Sequence, residues 1–212
     1  MSLYLVKTPN FIKSLFKDLV WSFTISEKKL YLTFDDGPTP EITPFILQQL
    51  KQFNAKATFF CVGENVEKYP EIFQQIISEG HSVGNHTNNH LNGWKTNTID
   101  YLNNIEIAQI EIQKHLVSET KLFRPPYGKI KLSQIKKLQK KGFEIVMWNV
   151  LSGDFDSSIS KEKVYQNIIK NTENGSIIVL HDHQKAIKNV KFALPLLIKY
   201  YQSLGFTFKP IG

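Results

Sequence analysis

Short apolar runs alternate along the chain with segments of helical periodicity. Runs at 30–34, 57–62, 143–149 and 176–180 have the length and the β-branched or aromatic content of buried strands. Weaker runs lie at 81–84 and 122–124. Apolar residues recur with helical spacing over 42–53, 69–79, 98–117, 131–141, 161–171 and 190–203. Gly80, Gly142 and Gly205 each follow a helical pattern closely, where a left-handed C-cap is expected. Repeated strand–helix alternation predicts an α/β fold with a parallel sheet. Some seven strands in so short a chain predict a distorted (β/α) barrel rather than a full eightfold one, with its site at the C-terminal ends of the strands.

The first residues have a different pattern. Phe11, Leu15 and Leu19 recur every four residues, as do Ile12, Phe16 and Val20, with Lys13 and Lys17 between them. This spacing predicts a basic amphipathic helix over 11–23 that closes the bottom of the domain, with peripheral membrane contact as the alternative. The organisation expected is therefore an N-terminal helix within 1–28, packed on one catalytic domain over 29–212. No linker, internal repeat or low-complexity tract interrupts the pattern.

Composition narrows this picture only at a few points. The chain has 212 residues, 42% of them hydrophobic, enough for one sizeable core. Cys61 is the single cysteine, so no intramolecular disulfide staples the fold. The formal charge is +7, but the lysines are scattered and no nucleic-acid-binding motif accompanies them, so no nucleic acid partner is expected. No apolar run approaches membrane-span length and no signal peptide is evident, which leaves a cytoplasmic protein by default, envelope association as the alternative, and a monomer. One detail is sharper: of the 26 basic residues only Arg124 is an arginine, so that position is expected to need the planar guanidinium fork.

Polar clusters fall at equivalent places, just beyond the strand runs. Thr33-Phe34-Asp35-Asp36-Gly37-Pro38 puts adjacent carboxylates at the end of an apolar strand and before a turn. Two carboxylates brought to one site repel, and a metal and an arginine would satisfy them. His86-Thr87-Asn88-Asn89-His90 places two imidazoles four residues apart, on one face if the segment is helical, the spacing of a divalent-metal clamp. In Arg124-Pro125-Pro126-Tyr127-Gly128 the prolines remove two donors, so the Tyr127 N–H is the next one available to an oxyanion. His181 ends the last strand and is a candidate general acid. His183 reads as structural or exposed, and His81 and His115 as bystanders.

Together these residues resemble the polysaccharide deacetylases of carbohydrate esterase family 4, the nodulation-type chitooligosaccharide deacetylase homology domain. The resemblance spans roughly 30–208. It rests on the complete Thr-Phe-Asp-Asp-Gly-Pro string, on His86 and His90, on Arg124 to Gly128, and on Leu180-His181. The fourth motif departs from the family: Asp154-Phe155 replaces an Asp-Trp pair, and Asn149 stands where an acidic residue is common.

The resemblance implies that Asp36, His86 and His90 hold a divalent metal, Zn²⁺ with Co²⁺ or Ni²⁺ as alternatives. It implies Asp35 as general base paired with Arg124, and the Tyr127 N–H on the oxyanion. His181, held by Asp154, protonates the departing amine. Leu180 and Trp148 wall the acetyl methyl, and Phe155 lines the groove. The expected reaction is removal of N-acetyl groups from an N-acetylglucosamine-containing glycan of peptidoglycan or chitooligosaccharide type. Three rivals stand beside it: an Fe(II) oxygenase using the same two histidines and carboxylate, a non-catalytic glycan-binding relative, and an amidase acting on a small non-sugar amide.

Overall fold

The computed structural model describes residues 4–24 and 26–212; residues 1–3 and 25, which belong to the expected N-terminal unit, lie outside them. In chain order the elements are α1 (Asn10–Leu15), β1 (Lys29–Asp35), α2 (Ile42–Gln52), β2 (Ala57–Cys61), α3 (Gly63–Lys68), α4 (Pro70–Ser78), β3 (Ser82–Asn85), α5 (Thr98–Gln113) and β4 (Leu122–Phe123). There follow α6 (Leu132–Lys140), β5 (Glu144–Ile145), β6 (Val150–Leu151), α7 (Lys161–Asn171), β7 (Ile177–His181), α8 (Ile187–Ser203) and β8 (Thr207–Phe208). The strands run in the order β5-β4-β3-β2-β1-β7-β6, with β8 on β1, and every pairing is parallel. This is the curled α/β half-barrel that the strand–helix alternation predicts. Gly80, Gly142 and Gly205 all have positive φ, at 77°, 83° and 81°, as their places after helical segments require.

Strand alternation divides the core and builds the site. On β1, Leu30, Leu32 and Phe34 are buried in the cluster shared with α2 and α8, among them Ile46, Leu47, Leu194 and Leu197. The intervening Thr33 and Asp35 face the barrel interior. On β7, Ile178 and Leu180 belong to the outer cluster, and Ile177 joins Phe60, Val146 and Ile211 in the interior floor. The cation end of Arg124 lies 4.1 Å above the Phe60 ring, and the carboxylates and imidazoles sit above that.

Two expectations change here. The apolar run at 143–149 is not one strand. It holds β5 against β4 and then crosses the open seam of the barrel to reach β6, just beyond the run, against β7. Its main chain is claimed by different partners in turn: Val146 N–H donates to Phe123 O, Met147 N–H to Val20 O, and Asn149 N–H to Ile177 O. The helix expected over 11–23 ends at Leu15 and buries none of its residues. Phe11 and Leu15 are 71% and 73% exposed, whereas Leu19 is buried against Phe123, Phe143 and Ile145. Past the helix, Val20 bridges Val146, Ser22 bridges Ser176 and, on the helix's other side, Lys7 bridges Val150. The unpaired edges at the seam demand main-chain partners, and this demand overrides helical periodicity. No helix among the described residues is long and apolar enough to cross a membrane.

Candidate active site

The site lies at the C-terminal ends of the strands, in a cleft of about 730 Å³. Asp35 ends β1 and points inward by alternation. Asp36 would point outward, but its φ of 88° turns the chain and returns its carboxylate to the same mouth. The turn is clamped from β7's loop: the Asp182 carboxylate accepts the Gly37 N–H at 2.8 Å and the Thr43 hydroxyl at 2.7 Å. A Cβ on Gly37 would stand 1.8 Å from Asp182 Oδ2, so only glycine fits. Burial pushes the Asp182 carboxyl up to about 7, against the two donors that lower it. Nothing in the sequence distinguished Asp182 from the polar residues around it.

Asp36, His86 and His90 offer ligand atoms that all lie within 4.8 Å of one another. The segment from His86 to His90 is a loop rather than a helix, with Thr87 and His90 at φ of 65° and 58°. Two left-handed residues, not a helical face, therefore bring the imidazoles together. The two Nε2 atoms sit 3.5 Å and 3.1 Å from Asp36 Oδ1. The Arg124 carbonyl lies 2.7 Å from His86 Nδ1 and can only accept, so Nδ1 carries the proton. In the neutral ring Nε2 is then a bare lone pair facing a carboxylate oxygen. That oxygen, Asp36 Oδ1, is buried and has no hydrogen-bond partner. Lone pairs converging on a buried, unsatisfied oxygen fit a cation.

Arg124 is buried and its donors are shared out. Nη1 donates to Asp35 Oδ1 and to Thr33 Oγ1, each at 2.7 Å, Nε to Val146 O and Nη2 to Met147 O. The guanidinium thus reads the seam's backbone as well as Asp35, rather than forking both arms onto that carboxylate. Burial lowers its pKa from the ordinary value and the Asp35 charge opposes that shift.

His181 Nδ1 contacts Asp154 Oδ1 at 2.7 Å, and the His181 N–H donates to Asp154 Oδ2 at 2.7 Å. Burial lowers the His181 pKa, but Asp154, assisted by Asp36 and Asp35, raises it to about 9. Asp154 is in turn fixed by the Ser152 hydroxyl.

Tyr127 (φ 61°) is exposed above the cleft, its hydroxyl 3.0 Å from His90 Nδ1. Trp148 and Phe155 both line the cleft, and Phe155 packs edge-on against His181 at 5.1 Å. Leu180 does not line it. It is fully buried in the outer cluster, and the two-residue period gives the wall to Val179, together with Leu151. Asn149 is also structural, its amide bonded to Ser176 Oγ and to the Ile177 N–H.

Two residues join the site unforeseen. Tyr4, from the N-terminal segment, lines the cleft and packs on Phe155 at 5.1 Å. His183 places Nε2 3.4 Å from Asp36 Oδ2 while its Nδ1 accepts the Lys185 N–H at 3.0 Å. Its sequence signal was only proximity to His181.

The chain is 44% identical over 157 residues to a peptidoglycan-N-acetylglucosamine deacetylase of Bacillus cereus, covering 74% of this chain and 56% of that protein. It is 31% identical over 201 residues to a chitooligosaccharide deacetylase of Azorhizobium caulinodans, covering 89% and 95%. A crystal structure of a peptidoglycan N-acetylglucosamine deacetylase bound to 4-naphthalen-1-yl-N-oxidanyl-benzamide superposes with a TM-score of 0.88 at 36% identity, over 96% of this chain and 95% of that one. Residues 24–146 match the polysaccharide deacetylase family, and the chain belongs to it.

Proposed function

We propose that this protein hydrolyses the N-acetyl group of N-acetylglucosamine residues in a glycan, releasing acetate, with Zn²⁺ bound by Asp36, His86 and His90. One observation carries the reading. The three converging ligands are flanked by two separately supported proton carriers, Asp35 on Arg124 and His181 on Asp154. A carboxylate oxygen and two imidazole nitrogens are a Zn²⁺ donor set with a position left open. The bound cation would supply Lewis-acid polarisation of the acetyl carbonyl.

This chain's own residues do the rest. Asp35 accepts a proton from the water that attacks the carbonyl carbon, and Arg124 keeps its carboxylate aimed at that water. The Tyr127 N–H, first donor after two prolines, meets the oxygen that gains negative charge. His181 gives its proton to the amide nitrogen, the C–N bond breaks, and acetate and the free amine leave. Val179, Leu151 and Trp148 surround the acetyl methyl. This division of labour, with a base and an acid on separate supports, suits hydrolysis better than the oxygenase alternative. Relatives named for peptidoglycan and for chitooligosaccharide bracket the substrate. The test is acetate release from N-acetylated glycans with the metal-loaded and the chelated enzyme. Release that chelation leaves untouched, or no release from any such glycan, would overturn the reading.

A further inference from the structure

Beyond the reacting cleft, two large aromatic rings stand exposed on neighbouring loops. Trp94 is 59% exposed and Tyr127 is 58% exposed. Neither is loose. Trp94 sits in a short 3₁₀ turn, its N–H capped by Asn92 and its indole N–H donated to Ile130 O at 3.1 Å. Gly93 in that turn lets the two loops interlock, since a Cβ there would stand 2.5 Å from Lys129 O. The Lys129 ammonium lies between the rings, 5.5 Å from the Trp94 centroid and 5.9 Å from the Tyr127 centroid.

Lys129 also lines the cleft, as does Lys185. Among the described residues neither ammonium has a carboxylate within ion-pair distance, whereas Asp35 and Asp36, the cleft's carboxylates, are held by Arg124 and the histidines. The free charge at the mouth is therefore positive. A fixed, exposed aromatic face suits the C–H face of a pyranose, and an unpaired ammonium beside it suits an anion.

We propose that Trp94, Tyr127 and Lys129 form a subsite for a sugar that carries a carboxylate and adjoins the N-acetylglucosamine being deacetylated. The ligand class is a glycan alternating N-acetylglucosamine with an acidic sugar such as N-acetylmuramic acid, whose lactyl carboxylate would meet Lys129. The subsite makes the protein select acidic over neutral glycans of equal length, and it rests on the deacetylase reading above.

Calorimetric titration of the zinc-loaded enzyme tests it with three tetrasaccharides: neutral chitotetraose, a peptide-free acidic alternating tetrasaccharide, and the latter with its carboxylates methyl-esterified. The wild type should bind the acidic form about 5–10-fold more tightly than the other two, the worth of one partly exposed charge-assisted contact. Lys129→Gln should abolish that preference, and raised salt should shrink it in the wild type. Lys199→Gln, an exposed lysine on α8, should leave it intact. Trp94→Ala should weaken all three ligands and Trp94→Phe should recover most of the loss. Equal wild-type binding of the three, or a preference that survives Lys129→Gln, would overturn the subsite. Acetate assays on the same samples separate the two readings. Acetate release without preference defeats only the subsite; preference without acetate defeats only the deacetylase.

Discussion

Arg124 and Asp35 form an ion pair at 2.7 Å in which the arginine is wholly buried. Both ends are committed, because the same guanidinium satisfies the Val146 and Met147 carbonyls in the chain that crosses the barrel seam. The residue that fixes the Asp35 carboxylate therefore also holds the wall of the site together.

Arg124→Lys should accordingly be damaging in two measurements at once. One ammonium cannot reach Asp35, Thr33 and two separate carbonyls. Turnover should fall roughly 10–100-fold, the loss typical of a misaligned supporting contact. Lysine keeps the charge but leaves a buried carbonyl unpaired, at about 1–3 kcal/mol for each such group, so the unfolding midpoint in denaturant should fall as well. A lysine variant with wild-type kcat and stability would show that the fork is dispensable.

The metal ligands and the base should separate cleanly. Asp36→Ala and His90→Ala should lose both bound metal and activity. Asp35→Asn should keep the metal and lose roughly 10²–10⁴-fold in kcat, the usual worth of a general base. Elemental analysis beside the kinetics decides: full metal occupancy in Asp36→Ala and His90→Ala, or near wild-type turnover in Asp35→Asn, refutes the assignment.

His181 should set the alkaline limb of the pH–rate profile. Its pKa is raised to about 9 by Asp154, with Asp36 and Asp35 adding to it, against burial, which lowers it. A general acid works while protonated, so kcat should hold at neutral pH and fall as pH rises through the group's pKa. The stability sign is the same. A raised histidine contributes fully below its unfolded value near 6.5 and loses that contribution as pH climbs through about 9. Asp154→Asn removes the carboxylate's charge and should move the limb to lower pH. A limb that stays in place in Asp154→Asn, or persists unchanged in His181→Ala, assigns it to another group.

His183 should tune metal affinity without touching the metal. Its Nδ1 accepts the Lys185 N–H, which leaves the proton on Nε2 facing Asp36 Oδ2. Oδ1 is thereby left to the cation. His183→Ala should weaken zinc binding about 10-fold in a chelator competition. Unaltered affinity would mean that the Asp182 clamp alone orients Asp36.

The sequence made legible whatever is periodic or local. Apolar runs located β1 and β7 and put Asp35 and His181 at their ends, and glycines marked three helix ends. It failed where one segment answers to distant partners. The run at 143–149 is apolar like a strand, yet its main chain passes from one sheet edge to the other. Leu180 was given a site role that the two-residue period denies it. Phe11 and Leu15 keep helical spacing, yet they stay exposed because the following residues are recruited to the seam. Tyr4 reaches the site only through tertiary folding, and Asp182 and His183, although they follow His181 directly, have no spacing that announces their contacts with Gly37 and Asp36.

The seam itself yields the last prediction. Between β5 and β6 no strand pairs with strand, and the N-terminal segment supplies the missing bonds. Leu151 N–H donates to Val6 O, Thr8 N–H to Asn149 O, and the Thr8 hydroxyl to Trp148 O. Tyr4 meanwhile covers Phe155, which packs on the general-acid candidate. Removing residues 1–8 would free the Asn149 and Trp148 carbonyls and the Leu151 N–H, each net bond worth about 0.5–1.5 kcal/mol. The truncated chain should unfold several degrees lower, in line with roughly 2–4 °C per kcal/mol at this size. It should also lose activity beyond the stability loss, because the wall of the cleft beside His181 is opened. Tyr4→Ala isolates the second effect: KM should rise while the unfolding temperature falls less than in the truncation, since the main-chain bonds of Val6 and Thr8 remain. Truncation that leaves both the unfolding temperature and KM unchanged would show that residues 4–8 neither close the barrel nor shape the site.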